Sequence, residues 1–200
     1  YKNTKKDKDR GYLLRNELEQ LVTFNCDKKK DELVKDLFVF SCFTGLSYSD
    51  MKGLKNSNIQ DFFDGNKWII VRRKKTATSS NVMLLDIPKM IIEKYGGLSK
   101  DGKVFPVPSN TICNDSLKRI SQLIDCLVEK KVTFHLARHT FATLFLSEGV
   151  PLESLSKMLG HKNIATTQIY AKILNEKVGK DMQKVSHKFK GMEESFVSSL

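Results

Sequence analysis

Leu33, Val34, Leu37, Phe38 and Val39 recur at helical spacing and predict a helix over roughly residues 31–43, closed by Thr44-Gly45. Shorter helices are expected before it, over about 14–22, and after it, over about 49–54. The period then changes. Ile59 to Arg73 and Val82 to Ile87 read as strands, with Trp68, Ile69, Ile70 and Val71 in a row and polar residues 76–81 turning between them. This is an antiparallel hairpin or a small meander. Pro88 opens a helix to about Tyr95, which Gly96-Gly97 stops. Beyond a loop holding Gly102, Pro106 and Pro108, helical patterns cover about 109–129, 133–148 and 151–159. Gly149 and Pro151 separate the last two, and Gly160 ends the third. A short helix carries Tyr170. A final helix over about 175–189 presents Val178, Met182, Val185 and Phe189 at three- and four-residue spacing. The fold class is mainly α with one small antiparallel sheet.

Composition places this pattern in an ordinary globular domain. Of 200 residues, 40% are hydrophobic and 28% charged, which excludes a disordered or collagen-like chain. Apolar runs such as Leu37 to Phe40 are too short to cross a bilayer, and no signal peptide pattern opens the chain. No membrane association is expected, and the cytoplasm is the expected location. Cys26, Cys42, Cys113 and Cys126 are widely spaced and read as free thiols. Charge changes the picture more. Lys and Arg number 34 against 23 acidic residues, a net charge of +11, and such a field attracts polyanions: DNA, RNA or an anionic membrane surface, nucleic acid first. Residues 2–15 and 172–190 are especially basic.

Chemistry is concentrated in two stretches. In Thr133-Phe-His-Leu-Ala-Arg-His-Thr-Phe-Ala-Thr143, His135 and Arg138 are three apart and share one side of a helix. Phe134, Ala137, Phe141 and Leu144 take the neighbouring core face. A guanidinium fork beside a tunable imidazole suits a phosphate. His135 and His139 have the four-residue spacing of a zinc helix, but the glutamate is missing and Arg138 would repel the ion, so no metal or other cofactor is expected. In the second stretch, His161 directly follows the helix-ending Gly160, and Tyr170 lies nine residues on.

His-x-x-Arg-His, then Leu-Gly-His, then a tyrosine, in that order, resembles the tyrosine recombinase (integrase) family. Thr44-Gly-Leu-Ser-Tyr-Ser-Asp-Met-Lys-Gly-Leu54 matches that family's threonine-glycine-leucine box. The resemblance covers about residues 12–188, and the wording of the boxes is most like integrases of Bacteroidetes mobile elements such as conjugative transposons. It implies the catalytic-domain fold of a site-specific DNA recombinase, working without metal on double-stranded DNA for integration or excision. Tyr170 would be the nucleophile, forming a 3′-phosphotyrosyl bond and releasing a 5′-hydroxyl. Arg138, His135 and His161 would serve the phosphate, whose transition-state charge must be met by side-chain donors. A hairpin lysine would protonate the leaving 5′-oxygen. Lys74 and Lys75 are the candidates, the branch pointing to Lys75, and Arg72 with the other lysine would touch DNA backbone. Asp50 and His139 would support the site.

The family's box carries an arginine where this chain has Ser47. Losing one such donor typically costs about 10²–10³ in rate, so another cation is expected to replace it. Arg73 shares a strand face with Lys75 by two-residue alternation and is the first candidate; Lys35 is the second. The rival readings are a DNA-binding module that kept the fold and lost catalysis, and a type IB topoisomerase. Residues 1–12 read as a linker from an N-terminal DNA-binding region, 13–190 as the catalytic domain and 191–200 as a flexible tail. The resemblance implies a tetramer on DNA, with the last helix packing on its own domain or docking in trans on a neighbour.

Overall fold

A computed structural model describes residues 11–74, 76–99 and 101–170, together with residues 178–179, 182–183, 185–186, 188–189 and 191–192. Helix α1 (Arg15–Thr23) leads into α2 (Lys29–Thr44) and the short α3 (Tyr48–Lys52). Strands β1 (Ile59–Asp61), β2 (Lys67–Arg72) and β3 (Ser79–Met83) form one antiparallel sheet in that order. Helices α4 (Asp86–Tyr95), α5 (Asn110–Gln122), α6 (Phe134–Ser147) and α7 (Leu152–Leu159) follow. Short 3₁₀ turns at Ile164–Thr166 and Gln168–Tyr170 bring Tyr170 back to α6. The architecture is the mainly helical one with a small antiparallel sheet that the periodicity predicts.

Helix α2 is the axis of the core. Val34, Leu37, Phe38, Val39, Phe40 and Cys42 are all buried, so the helix is apolar around most of its circumference rather than along one stripe. Helices α1, α4, α5 and α6 pack around it. A second cluster joins Phe141, Leu146, Leu155 and Leu159 to the ring of Tyr170. The tyrosine is thus anchored in the core by its ring, leaving its oxygen to be directed by neighbours.

The element boundaries differ from the sequence reading where short polar residues intervene. The stretch from Ile59 to Arg73 is two strands, split by a turn in which Phe62 N–H donates to Asn66 and Asp64 accepts from the Trp68 indole. β3 starts at Ser79 rather than Val82, because Ser79 and Ser80 pair with Arg72 and Val71. Asp86 then opens α4 two residues before Pro88. The helix expected to reach 129 ends at Gln122, and a 3₁₀ turn at Asp125–Leu127 follows. Of the expected last helix, the described residues between 178 and 189 are helical, with Val178, Met182, Val185 and Phe189 exposed. The rest of that helix, the linker up to residue 10 and most of the tail lie outside the described residues. No described helix is long and apolar enough to cross a membrane.

Candidate active site

Two helix C-termini build the centre of the site. Helix α2 ends on Gly45, in the left-handed region at φ 66°, and α7 ends on Gly160 at φ 60°. Such ends leave backbone carbonyls without intrahelical partners and carry partial negative charge. Here two guanidinium groups take them. Arg138 donates from Nη1 to the Gly45 carbonyl at 2.7 Å and from Nη2 to the Leu159 carbonyl at 2.6 Å. Arg73 donates from Nε to the same Leu159 carbonyl at 3.0 Å and from Nη2 to the same Gly45 carbonyl at 3.4 Å. Two cations that would repel each other are held side by side by two shared acceptors.

Asp50 completes the balance. Its Oδ2 accepts from Arg73 Nη1 at 2.7 Å and from Ser47 Oγ at 2.6 Å, and its Oδ1 accepts the Lys74 backbone N–H at 3.1 Å. Ser47 therefore caps α3 and braces Asp50. Arg73 lies just past the end of β2, not within it. Its backbone is held by a tight turn in which its N–H donates to Thr78 O and its carbonyl accepts from Ala77 N–H. This turn, rather than the strand alternation of the sequence reading, brings it beside Arg138. Burial pulls its pKa down, and the Asp50 carboxylate opposes that pull. Lys35, the other candidate, is not brought to the site. It sits in the first half of α2, where its ammonium donates to the Phe24 carbonyl at 2.7 Å. Ten residues of helix, about 15 Å, separate it from Gly45.

The hairpin is bolted to the same helix end. Thr76 and Thr78 donate to the Gly160 carbonyl, and Ser80 donates to the Met158 carbonyl. Glycine is required at 160 for its left-handed φ and because a Cβ there would stand 2.7 Å from Arg73 Cγ. Lys74 is exposed and lies against Gly53, beside Asp50. Arg72 is exposed, with Nε on the Ala77 carbonyl. Lys75 lies outside the described residues.

His161 meets Arg138 Nη2 through Nε2 at 3.0 Å and Thr167 Oγ1 through Nδ1 at 2.8 Å. A guanidinium only donates, so His161 Nε2 accepts and its proton sits on Nδ1. The imidazole thus positions Arg138, where the sequence reading had it donating to a phosphate. Burial, then the Arg73 charge, hold its pKa below the ordinary 6.5. The fold therefore favours the neutral ring. Its contribution to stability is present above about pH 6.5 and is lost as pH falls through the lowered folded value. The melting temperature should accordingly drop between pH 7 and 5. His161→Gln, whose amide oxygen accepts from Arg138 without taking up a proton, should show a smaller drop; circular-dichroism melts check this.

Tyr170 Oη lies 2.8 Å from His139 Nδ1, and His139 Nε2 lies 3.0 Å from His135 Nε2. His135 is exposed and lines, with Arg138, Ser47, Ser49, Asn110 and Thr133, an open cleft of about 340 Å³. The imidazole that meets the tyrosine is thus His139, which the sequence reading gave only a supporting part. Thr167, wholly buried behind His161, was also missed. The Tyr170–His139 pairing has no local signal, since it depends on turns returning the chain to α6, whereas Thr167 meets His161 across only six residues. Among the described residues no three His, Cys, Asp or Glu side chains converge as a metal site.

The phage integrase family model matches residues 11–177. The chain belongs to that family. Tyrosine recombinase XerA of Saccharolobus solfataricus is 32% identical over 156 residues, covering 78% of this chain and 50% of the relative. The chain spans about half the length of this relative. Among solved structures, the XerH site-specific recombinase bound to palindromic difH substrate, in a post-cleavage complex, has a TM-score of 0.71 at 20% identity over 90% of this chain and 55% of that one. The catalytic domain of bacteriophage HP1 integrase has a TM-score of 0.60 at 21% identity, over 82% and 88%. These likenesses establish the integrase catalytic-domain fold.

The integrase fold also exposes why Gly45 is needed. Its φ of 66° suits glycine, and a Cβ would stand 2.6 Å from the Phe141 ring. Gly45→Ala should lose about 1–2 kcal/mol to left-handed backbone and about 1–3 kcal/mol to overpacking. Denaturant melts measure this.

Proposed function

We propose that this chain is the catalytic domain of a site-specific DNA recombinase, cutting and rejoining double-stranded DNA at the attachment sites of a mobile element through a 3′-phosphotyrosyl intermediate. The observation that carries this is Arg138 lining the His135 cleft with Arg73 buried behind it on the same two carbonyls, within a family fold whose tyrosine is directed at the same helix. A phosphodiester gathers negative charge in its transition state, and pre-set donors stabilise it without reorganisation. Arg138 supplies one fork. Arg73 supplies the second, in place of the arginine that the family box carries at Ser47. Asp50 holds Arg73, and His161 holds Arg138. The phosphate enters over Ser47, His135 and Arg138, with Arg72, Lys74 and the net charge of +11 meeting the DNA backbone. Lys75 protonates the leaving 5′-oxygen.

Residues 13–190 form this domain, with residues 1–12 leading from a DNA-binding region and 191–200 as a tail. Exposure of Val178, Met182, Val185 and Phe189, at 59, 63, 41 and 50%, supports docking of the last helix on a neighbouring copy rather than on its own domain. Copies so linked form a tetramer on DNA in the cytoplasm. The test is covalent trapping on a nicked suicide duplex carrying the element's own junction. A DNA adduct mapped by mass spectrometry to the Tyr170 peptide is the expected result. An adduct elsewhere, or none with the full-length recombinase on its cognate junction, overturns the proposal. Exchange between two duplexes, rather than relaxation of one, separates a recombinase from a topoisomerase.

A further inference from the structure

We infer that His139 takes the proton from Tyr170 and hands it through its other nitrogen to His135, so that two imidazoles in edge-on contact activate the nucleophile. The inference rests on the proposed function for its chemistry and on the geometry for its residues. Tyr170 and His139 are 7 and 8% exposed, so bulk water is a poor acceptor for the phenol proton. His139 Nδ1 is within hydrogen-bond reach of Oη at 2.8 Å, which is the first requirement of a general base. His139 and His135 are four apart on α6, which puts them on one face, their rings edge-on at 88° and their Nε2 atoms 3.0 Å apart. The second ring opens to the cleft that Arg138 also lines. Nucleophile, base and a third group orienting the base form one chain, the arrangement general to activated nucleophiles.

The step balances. Oη forms a bond to phosphorus while the bond from phosphorus to the 5′-oxygen breaks, its electron pair leaving with that oxygen. The Oη proton moves to His139 Nδ1, the His139 Nε2 proton moves to His135 Nε2, and the positive charge rests on the exposed ring. The leaving oxygen takes its proton from the hairpin lysine. In rejoining, each transfer reverses, and the phenol regains its proton as it is displaced.

The experiment measures adduct formation on the suicide duplex for wild type, His139→Ala and His139→Asn, each with tyrosine or difluorotyrosine at position 170. Asparagine places an oxygen where Nδ1 stands, keeping the hydrogen bond but unable to relay a proton. Both variants should slow adduct formation by about 10²–10⁴-fold. Difluorotyrosine, a more acidic phenol, should restore at least about tenfold of that in the variants and leave wild type nearly unchanged. Equal fluorine effects in wild type and in folded variants would mean that His139 only packs, and would overturn the inference. Nitrogen NMR of the DNA-free wild type decides independently of activity. His139 should carry its proton on Nε2; a proton on Nδ1 overturns the path. Absence of any wild-type adduct would count against the proposed function, while this spectrum still decides the hydrogen-bond chain.

Discussion

Arg73→Ala is expected to cut the rate of adduct formation by about 10²–10³-fold, the usual cost of losing one transition-state donor. It should also lower stability by about 3–5 kcal/mol, because it leaves the buried Asp50 carboxylate without its cation. The two losses have separate causes and can be separated. Arg73→Lys keeps a charge near Asp50 but loses the planar fork that reaches the Gly45 and Leu159 carbonyls together. It should recover much of the stability and little of the rate. Melts set a temperature at which every variant is folded, and single-turnover trapping at that temperature reads the rate. A folded Arg73→Ala protein that cleaves at the wild-type rate would show that the serine at 47 is not compensated by Arg73.

What the sequence shows of this site, and what it hides, divides along the range of the interactions. His135 and Arg138 are one helical turn apart, so their shared face is local information. Gly45 and Gly160 announce helix ends by the same local rule. The boundaries of the sheet were harder to read, because Ser79 and Ser80 pair as a strand through partners that a polar run does not advertise. Alternation suggests Arg73 on the face of Lys75, while the structure delivers it beside Arg138 by a turn whose threonines grip the end of α7. Lys35 was misplaced because nearness in sequence to the threonine-glycine-leucine box does not measure distance along a helix axis.

The contact of His139 with Tyr170 was hidden for the opposite reason. Helical spacing shows that its side chain neighbours His135, yet nothing local shows a tyrosine 31 positions later meeting its far nitrogen. Most buried histidines merely satisfy their hydrogen bonds, and the sequence offers no means of telling this one apart. For His161 the sequence suggests a phosphate donor, whereas the fold sets its Nε2 against Arg138. The neighbouring guanidinium decides that it accepts, and that neighbour comes from α6.

Tyr170→Phe should leave no detectable adduct, a loss of about 10⁴-fold or more, as removal of a nucleophile does in other covalent enzymes. The physical argument is that phenylalanine preserves everything about the residue except the reacting atom. Its ring still fills the cluster with Phe141, Leu155 and Leu159. The hydrogen bond to His139 Nδ1 is lost, which should lower stability by about 1 kcal/mol. DNA affinity and its decline with salt should match wild type, since those arise from exposed cations rather than from a buried hydroxyl. A residue present only for packing would give the reverse pattern, with activity kept and stability equal or higher. Gel-resolved adducts, binding titrations at two salt concentrations and melts on one preparation distinguish the two. A persistent adduct in Tyr170→Phe would move the nucleophile elsewhere and detach the His139 chain from catalysis.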